Sequence, residues 1–294
     1  MRTTYSDKTE FHEQLMDAWD WVNREFPFDG YIPLARRSSY FEMPAAVLNW
    51  LSPPARILDF GAGPCDKTAM LSRVGYDVTA CDDFGDDWYN LGNNRERILN
   101  YAAKAGIVYM LPDEAGNFAF KGNYYDAVIL NNVIEHLHDS PRKLLNKLLN
   151  SVKSGGLLFV DVPNAANLRK RIDLARGRTN YPSFDSFYWS SPSWRGHVRE
   201  FVKSDLVKLG RALALETVDI SSHHYHLDAV SPLLGKLFVF ICRFVPSLRE
   251  SWLLIARKPA GWMARDTPTD AEAAAARSRQ YFRWEKNTIS GKDA

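Results

Sequence analysis

Two carboxylates and two glycines bound the chemistry open to this chain. Asp59-Phe60-Gly61-Ala62-Gly63 follows the apolar pair Ile57-Leu58. A short buried strand therefore delivers an acid and then a turn that can approach a ligand closely, because glycine has no Cβ in the way. The helix expected from Asp66 to Arg73 presents unpaired N–H groups at its start. A second strand, within residues 75–81, ends in Asp82-Asp83 about twenty residues beyond the glycines. An acid at that place in an open α/β sheet accepts from ribose hydroxyls, and Asp82, directly after the strand, is the better placed of the pair. Together the two corners point to a nucleoside ligand. A dinucleotide fingerprint needs a third glycine where Asp66 stands, and a carboxylate there would face a pyrophosphate. An acid before the first glycine suits a positively charged ligand instead.

The reacting group is sought at Glu135-His136, just past the apolar run 126–130. Ligands in open parallel sheets bind at the carboxyl ends of the strands. An imidazole, with its unperturbed pKa of about 6.5, suits proton removal near neutrality. His197, in Gly196-His197-Val198-Arg199-Glu200-Phe201, is the second candidate base. His223, His224 and His226 also cluster, but no second set with ligand spacing accompanies them. They are expected to be solvated loop residues.

Several elements must position these groups. Apolar residues at helical spacing predict helices over 7–26 and roughly 37–51, ended by Asp29-Gly30 and Ser52-Pro53-Pro54. A helix from Asn94 to Ala105 and a short strand at 107–110 follow, and the strand 126–130 runs into a helix bearing Glu135 and His136. After a strand ending at Pro163, the chain inserts 164–196, first basic and then aromatic (Tyr181, Phe184, Phe187, Tyr188, Trp189, Trp194). An insertion of this size inside a compact domain reads as a lid or binding loop. Ser204 reads as the N-cap of the next helix, and residues 213–220 as the sixth strand. The amphipathic segment 229–245, broken by Lys236 and Arg243, is expected to pack on its own domain, with a membrane or partner surface as the other reading.

Three segments in order resemble class I S-adenosylmethionine (SAM) methyltransferases: Ile57-Leu58-Asp59-Phe60-Gly61-Ala62-Gly63, Asp126-Ala127-Val128 leading to Val133-Ile134-Glu135-His136-Leu137, and Ser151 to Pro163 with its Gly155-Gly156 pair. The resemblance covers about residues 55–258. It implies an α/β, Rossmann-like, seven-stranded, mostly parallel sheet with an antiparallel last strand near 251–258. The residues themselves divide the chain into a helical N-terminal cap (1–51), a methyltransferase domain (52–258) with a lid insertion (164–196), and an Ala-rich, charged tail (259–294), expected to be helical, that dimerises or hangs in solvent. The resemblance further implies SAM as cofactor, held by Asp59, Phe60, Gly61, Ala62, Gly63, Asp82, Asp83, Asp113 and Asn131. Asp59 would act near the methionine end and Asp113 near the adenine. His136, Glu135 and His197 are the implied catalytic residues. Some relatives ligate a divalent metal through Glu-x-x-Glu-His. Asn132 stands at the first of those positions here and lacks charge, which argues against an essential metal. The insertion and His-x-Arg return are similar to methyltransferases of cell-surface polysaccharide and lipopolysaccharide synthesis, implying a sugar or glycan hydroxyl as acceptor. The alternatives are a quinone or aromatic ring acceptor, or a non-catalytic SAM-binding scaffold; a nicotinamide oxidoreductase is disfavoured by Asp66.

Composition agrees with such a small-molecule enzyme. At 294 residues and 46% apolar, the chain suits one large domain with elaborations. A net charge of +2 with interspersed signs leaves no footprint for nucleic acid. Three cysteines without metal or redox spacing, and an N-terminus without an apolar signal region, lead to the expectation of a cytoplasmic protein. The most apolar run, 233–245, is short and charged, so no transmembrane segment is expected, although peripheral membrane contact remains open.

Overall fold

The computed structural model describes residues 8–33, 37–179, 181–191, 193–224 and 232–274. Seven strands form one sheet: β1 (Arg56–Phe60), β2 (Asp77–Cys81), β3 (Val108–Met110), β4 (Tyr125–Asn131), β5 (Val152–Pro163), β6 (Glu216–His223) and β7 (Ser251–Arg257). Their order is β3-β2-β1-β4-β5-β7-β6. Every pairing among β1 to β5 is parallel, whereas β7 runs antiparallel to both β5 and β6. The order reverses between β1 and β4, which opens a crevice at their carboxyl ends.

The period of two along the strands sorts their side chains between two cores. Ile57, Ile129, Phe159 and Ile255 face one layer, built with helices α1 (Lys8–Glu25), α2 (Arg37–Trp50), α3 (Thr68–Arg73) and α4 (Asn94–Lys104). Leu58, Val128, Leu158 and Leu254 face the other, built with α5 (Arg142–Ser151) and the helix Lys203–Ala212. Leu145, Leu148 and Leu149 of α5 are fully buried there, one stripe of a helix whose other face is polar.

The carboxyl edge carries two excursions. After β5 come α6 (Leu168–Ala175) and α7 (Phe184–Tyr188), before α8 (Lys203–Ala212). After β6 comes α9 (Pro232–Phe244). Asn164, at the end of β5, ties them together: its side-chain amide donates to the carbonyls of Ser247 and Arg249 at 2.8 and 2.7 Å.

Several boundaries differ from the sequence expectation. Asp59 lies inside β1 rather than ending it, and α3 begins at Thr68, because residues 62–65 close a turn with Cys65 in left-handed backbone (φ 63°). Glu135 and His136 sit on a single 3-10 turn, Ile134–His136, not a helix; the His136 N–H donates to Val133 and the chain then extends at Leu137. Val202, not Ser204, caps α8: its N–H donates to the Asp205 carboxylate at 3.3 Å. The sixth strand starts at 216 because Leu213 and Ala214 close α8, with Ala214 left-handed (φ 53°).

The histidine cluster and the tail also depart from expectation. His223 is buried at the end of β6 with its Nε2 3.3 Å from Asp161. Burial opposes its protonation, but the Asp161 carboxylate outweighs that and raises its pKa. His224 is half-buried against the Phe238 ring, and burial lowers its pKa to about 4; His226 lies outside the described residues. The first part of the tail returns to its own domain. The Trp262 indole donates to Leu213 at 2.7 Å, and the Asn146 amide donates to the Arg265 carbonyl at 3.0 Å. Thr269 and Glu272 then cap a helical turn reciprocally, and the remainder of the expected tail helix lies outside the described residues.

Candidate active site

A valine side chain, a carboxylate and a phenol shape the glycine corner. Gly61 adopts φ +74°, and a Cβ there would lie 2.5 Å from Val133 Cγ2, so the position admits only glycine. Gly63 (φ +55°) is held from both sides: Asp82 Oδ2 accepts its N–H at 3.0 Å, and the Tyr109 hydroxyl donates to its carbonyl at 2.7 Å. The other Asp82 oxygen accepts from Phe84 N–H at 2.9 Å. Burial raises the Asp82 pKa, and those two N–H donors offset part of the rise. A carboxylate has about four lone-pair sites, so Asp82 can shape the corner and still accept from a ligand.

Beside this corner a cleft of about 500 Å³ lies along the carboxyl edge. Of the residues singled out from the sequence, Phe60, Gly61, Gly63, Asp82, Asp83 and His136 line it. Asp59, Ala62, Asp113 and Asn131 are not among its lining. Asp59 is 5% exposed and accepts from the Thr68 hydroxyl at 2.6 Å, hooking the start of α3 to β1. Burial pushes its pKa up to about 7, against the pull of that hydrogen bond. Asp113 instead organises its own loop, its carboxylate accepting from Ala115 and Asn117 N–H at 3.0 and 2.7 Å. That loop delivers Asn117 and Phe118 to the cleft, where the Phe118 ring stacks on Phe120 (5.8 Å) and meets Phe60 edge-on (5.6 Å). Asn131 accepts from the Asn132 amide at 3.0 Å, and Asn132 itself is left-handed (φ 57°), a strained residue at the turn that carries Glu135.

Sequence reasoning missed Arg195. It and Trp194, one of the aromatics of the insertion, line the cleft together with the glycines. Arg195 reaches Asp83 at 3.1 Å and Asp86 at 3.3 Å, so Asp83 holds the insertion rather than standing spare for a ribose. Those two carboxylates raise the guanidinium pKa, outweighing its partial burial. The Arg195 carbonyl accepts from His136 Nδ1, and the Trp194 carbonyl from His138 Nε2, both at 2.7 Å. The separation of 112 residues between Arg195 and Asp83 left no local signal.

The three expected catalytic residues do meet. Because a carbonyl only accepts, the Arg195 carbonyl places the His136 proton on Nδ1 and leaves the Nε2 lone pair available. That Nε2 lies 4.0 Å from Glu135 Oε1. His197 packs edge-on against His136 with ring centroids 4.9 Å apart, and its Nδ1 meets Glu200 at 2.8 Å. Glu200 is neutralised by a close contact with Lys170. Burial, together with nearby His136 and Lys170, lowers the His197 pKa to about 4. Glu135 is 0% exposed and neither of its oxygens has a hydrogen-bond partner. Burial pushes its pKa up to about 8, with Asp161 adding to the rise. One ligand atom from each of Glu135, His136 and His197 falls within 4.8 Å of the others. The two outward ring nitrogens and the unpartnered carboxyl fit a divalent cation, a grouping the Asn132 argument did not anticipate.

A second cavity, about 570 Å³, adjoins the first and shares His138 and Trp194 with it. Tyr181, Pro182, Phe184, Phe187 and Val198 supply an apolar lining, and His197 also borders it. The His136–His197 pair thus lies where the two cavities meet.

A family model described as "Methyltransferase domain" matches residues 35–220. Among curated relatives, the ubiquinone/menaquinone biosynthesis C-methyltransferase of Vibrio cholerae is 30% identical over 112 residues, 37% of this chain and 41% of that one. The aligned part thus spans about two fifths of that relative. Among solved structures, the PH0226 protein of Pyrococcus horikoshii superposes with a TM-score of 0.50 at 14% identity, covering 79% of this chain and 93% of the other. A Burkholderia thailandensis 1,6-didemethyltoxoflavin-N1-methyltransferase, solved with its substrate and S-adenosylhomocysteine, gives 0.45 at 18% identity, covering 85% and 86%.

Proposed function

The chain belongs to the methyltransferase-domain family, and from that membership we propose that it moves the methyl group of SAM to a flat, apolar ring acceptor, with His136 as the base. The observation that carries this reading is the meeting of two cavities at the His136–His197 pair: a glycine-cornered cleft on one side and an aromatic-lined pocket on the other.

SAM is the expected cofactor, and the cleft has the parts an adenosyl group needs. Gly61 and Gly63 let backbone approach it, Asp82 can accept from ribose, and the Phe118–Phe120 stack offers a flat apolar wall. When bound, SAM supplies a methyl group on a positively charged sulphur, open to attack by an acceptor's electron pair. The chain's own contribution is to align that acceptor and to remove its proton. His136 Nε2 takes the proton of an acceptor hydroxyl, while the Arg195 carbonyl keeps the ring in the required tautomer. His197, kept neutral chiefly by burial and oriented by Glu200, lines the acceptor side without repelling a cationic donor. Trp194 and His138 wall both cavities and limit the entry of water.

The acceptor class separates this reading from the sugar hydroxyl suggested by the sequence. Among the described lining of the second pocket, His138, Thr179, Tyr181, Trp194 and His197 carry side-chain hydrogen-bonding groups, and the Trp194 indole and His138 Nε2 are already bonded to the His197 and Trp194 carbonyls, which leaves few for a glycan rich in hydroxyls. A ring of the quinone type, the substrate class in the Vibrio relative's name, suits it better. The test is methyl transfer from SAM to a panel of hydroquinones, catechols and methyl glycosides, with calorimetric titration of S-adenosylhomocysteine alongside. Ring acceptors should turn over fastest, and His136→Gln should lower turnover by roughly a hundredfold or more with the homocysteine affinity unchanged. Preferred transfer to glycosides, or full turnover in the variant, would overturn the acceptor or the base respectively.

A further inference from the structure

Helix α9 is apolar nearly all round, with Lys236 and Arg243 its only charges. Such a helix belongs in a core, yet only one of its faces is covered. Gly235 and Cys242 are buried and Phe238 packs on His224, the i, i+3, i+7 stripe that meets the domain. On the opposite face Leu237, Phe240, Ile241 and Phe244, another i, i+3, i+4, i+7 stripe, are 55%, 55%, 41% and 74% exposed. The helix is about 20 Å long at 1.5 Å per residue, too short to cross a bilayer.

A second exposed apolar group stands on the same edge of the sheet. Tyr181, Phe184, Phe187, Tyr188 and Trp189 of the insertion are all exposed, Trp189 at 79%. The two excursions are joined: Arg171 of α6 donates to the Ser247 hydroxyl at 2.9 Å, three residues past the end of α9. Charge on this edge is mostly basic, with Asp173 and Asp185 the acids of residues 168–189, although the chain as a whole is nearly balanced at +2. Residues 232–249 hold three basic side chains and no acid, and residues 168–178 hold five basic side chains and one acid. Arg169, Arg171, Arg176 and Arg178 are exposed.

We infer that this edge docks on the surface of an anionic lipid bilayer, with the outer stripe of α9 and the aromatic tips of the insertion sunk to headgroup depth. Apolar side chains flanked by arginine and lysine, with tryptophan and tyrosine at the boundary, match that interface in polarity and in sign. A second copy of the chain would bring the same positive charge against itself, which disfavours it as the occupant. The docking stands on its own observations. Its consequence, that the aromatic pocket takes its acceptor from the lipid phase, rests on the methyl-transfer reading.

The test is flotation of the purified full chain with vesicles of phosphatidylcholine, with and without about 30% phosphatidylglycerol. Sedimentation and S-adenosylhomocysteine titration of the same samples accompany it. Binding to the anionic vesicles should exceed binding to the neutral ones by about tenfold and should weaken in high salt. Phe240→Glu with Phe244→Glu should reduce it by a further tenfold or so, with homocysteine affinity unchanged as the check on folding. Lys236→Gln with Arg243→Gln should lower the anionic preference alone. Absent vesicle binding, binding that ignores the Phe240/Phe244 pair, or a dimer that this pair dissolves would each overturn the inference. Absence of S-adenosylhomocysteine binding by the wild-type chain would instead count against the methyl-transfer reading.

Discussion

Gly61→Ala puts the design of the glycine corner to a quantitative test. At φ +74° an alanine would be forced into left-handed backbone, at a cost of roughly 1–2 kcal/mol. Its methyl would also stand 2.5 Å from Val133 Cγ2 and 3.3 Å from Cγ1. Overpacking of that kind adds roughly 1–3 kcal/mol, so the single variant should lose about 2–5 kcal/mol of stability. Val133→Ala removes both γ carbons and leaves Val133 Cβ, at 3.5 Å, as the nearest neighbour, an ordinary contact. The double variant should therefore recover the packing part, about 1–3 kcal/mol, and keep the backbone part. Val133 also opens the turn that carries Glu135 and His136, so S-adenosylhomocysteine affinity should fall with Gly61→Ala and return in part with the double variant. Urea unfolding of the four proteins, with calorimetric titration of each, measures both quantities. A double-mutant cycle that is additive within about 0.5 kcal/mol would refute the close approach of Val133 as the reason for glycine.

Other perturbations probe neighbouring parts of the site. The folded pKa of Asp59, raised to about 7, means that its contribution to stability is complete below the unfolded value of about 3.9 and is lost as pH rises through about 7. Asp59→Asn should thus gain stability over wild type with rising pH across that window, by a few kcal/mol at most, as unfolding at pH 4 and pH 8 would show. Arg195→Gln, which breaks the ties to Asp83 and Asp86, should change stability by less than about 1 kcal/mol, because these ion pairs are exposed. It should nevertheless lower homocysteine affinity and remove much of its salt dependence, measured by titration at two salt concentrations. Trp262→Phe removes the indole's bond to Leu213 and should cost about 1 kcal/mol, read from the urea midpoint.

Much of the machinery was legible in the sequence because it is local in the chain. The strand–glycine corner at 57–63, the acid after β2 and the Glu135-His136 pair each lie within a few residues of a strand end. The alternation of apolar residues forces those strands into the sheet, and the order of the segments forces the crevice between β1 and β4. The antiparallel β7 was expected from the resemblance to class I methyltransferases, and the insertion after β5 from the length and composition of residues 164–196. The surroundings of Asp59 were not legible in the same way. Its position in the motif says nothing of the Thr68 hydroxyl that claims it across the turn.

Tertiary structure alone decided which groups face one another. His197 meets His136 only because the return segment is pinned by Val198 and Arg199 N–H groups donating to the Glu135 carbonyl, at 2.7 and 3.1 Å. Arg195 finds Asp83, and Trp194 finds His138, across separations that no sequence period spans. The burial that drives Glu135 up to about 8 and His197 down to about 4 is likewise a property of everything packed around them. A local pattern determines secondary structure and the end of a strand at which a side chain emerges. The solvent it loses and the partner it gains are set by segments distant in the chain, so they exist only once the fold has closed.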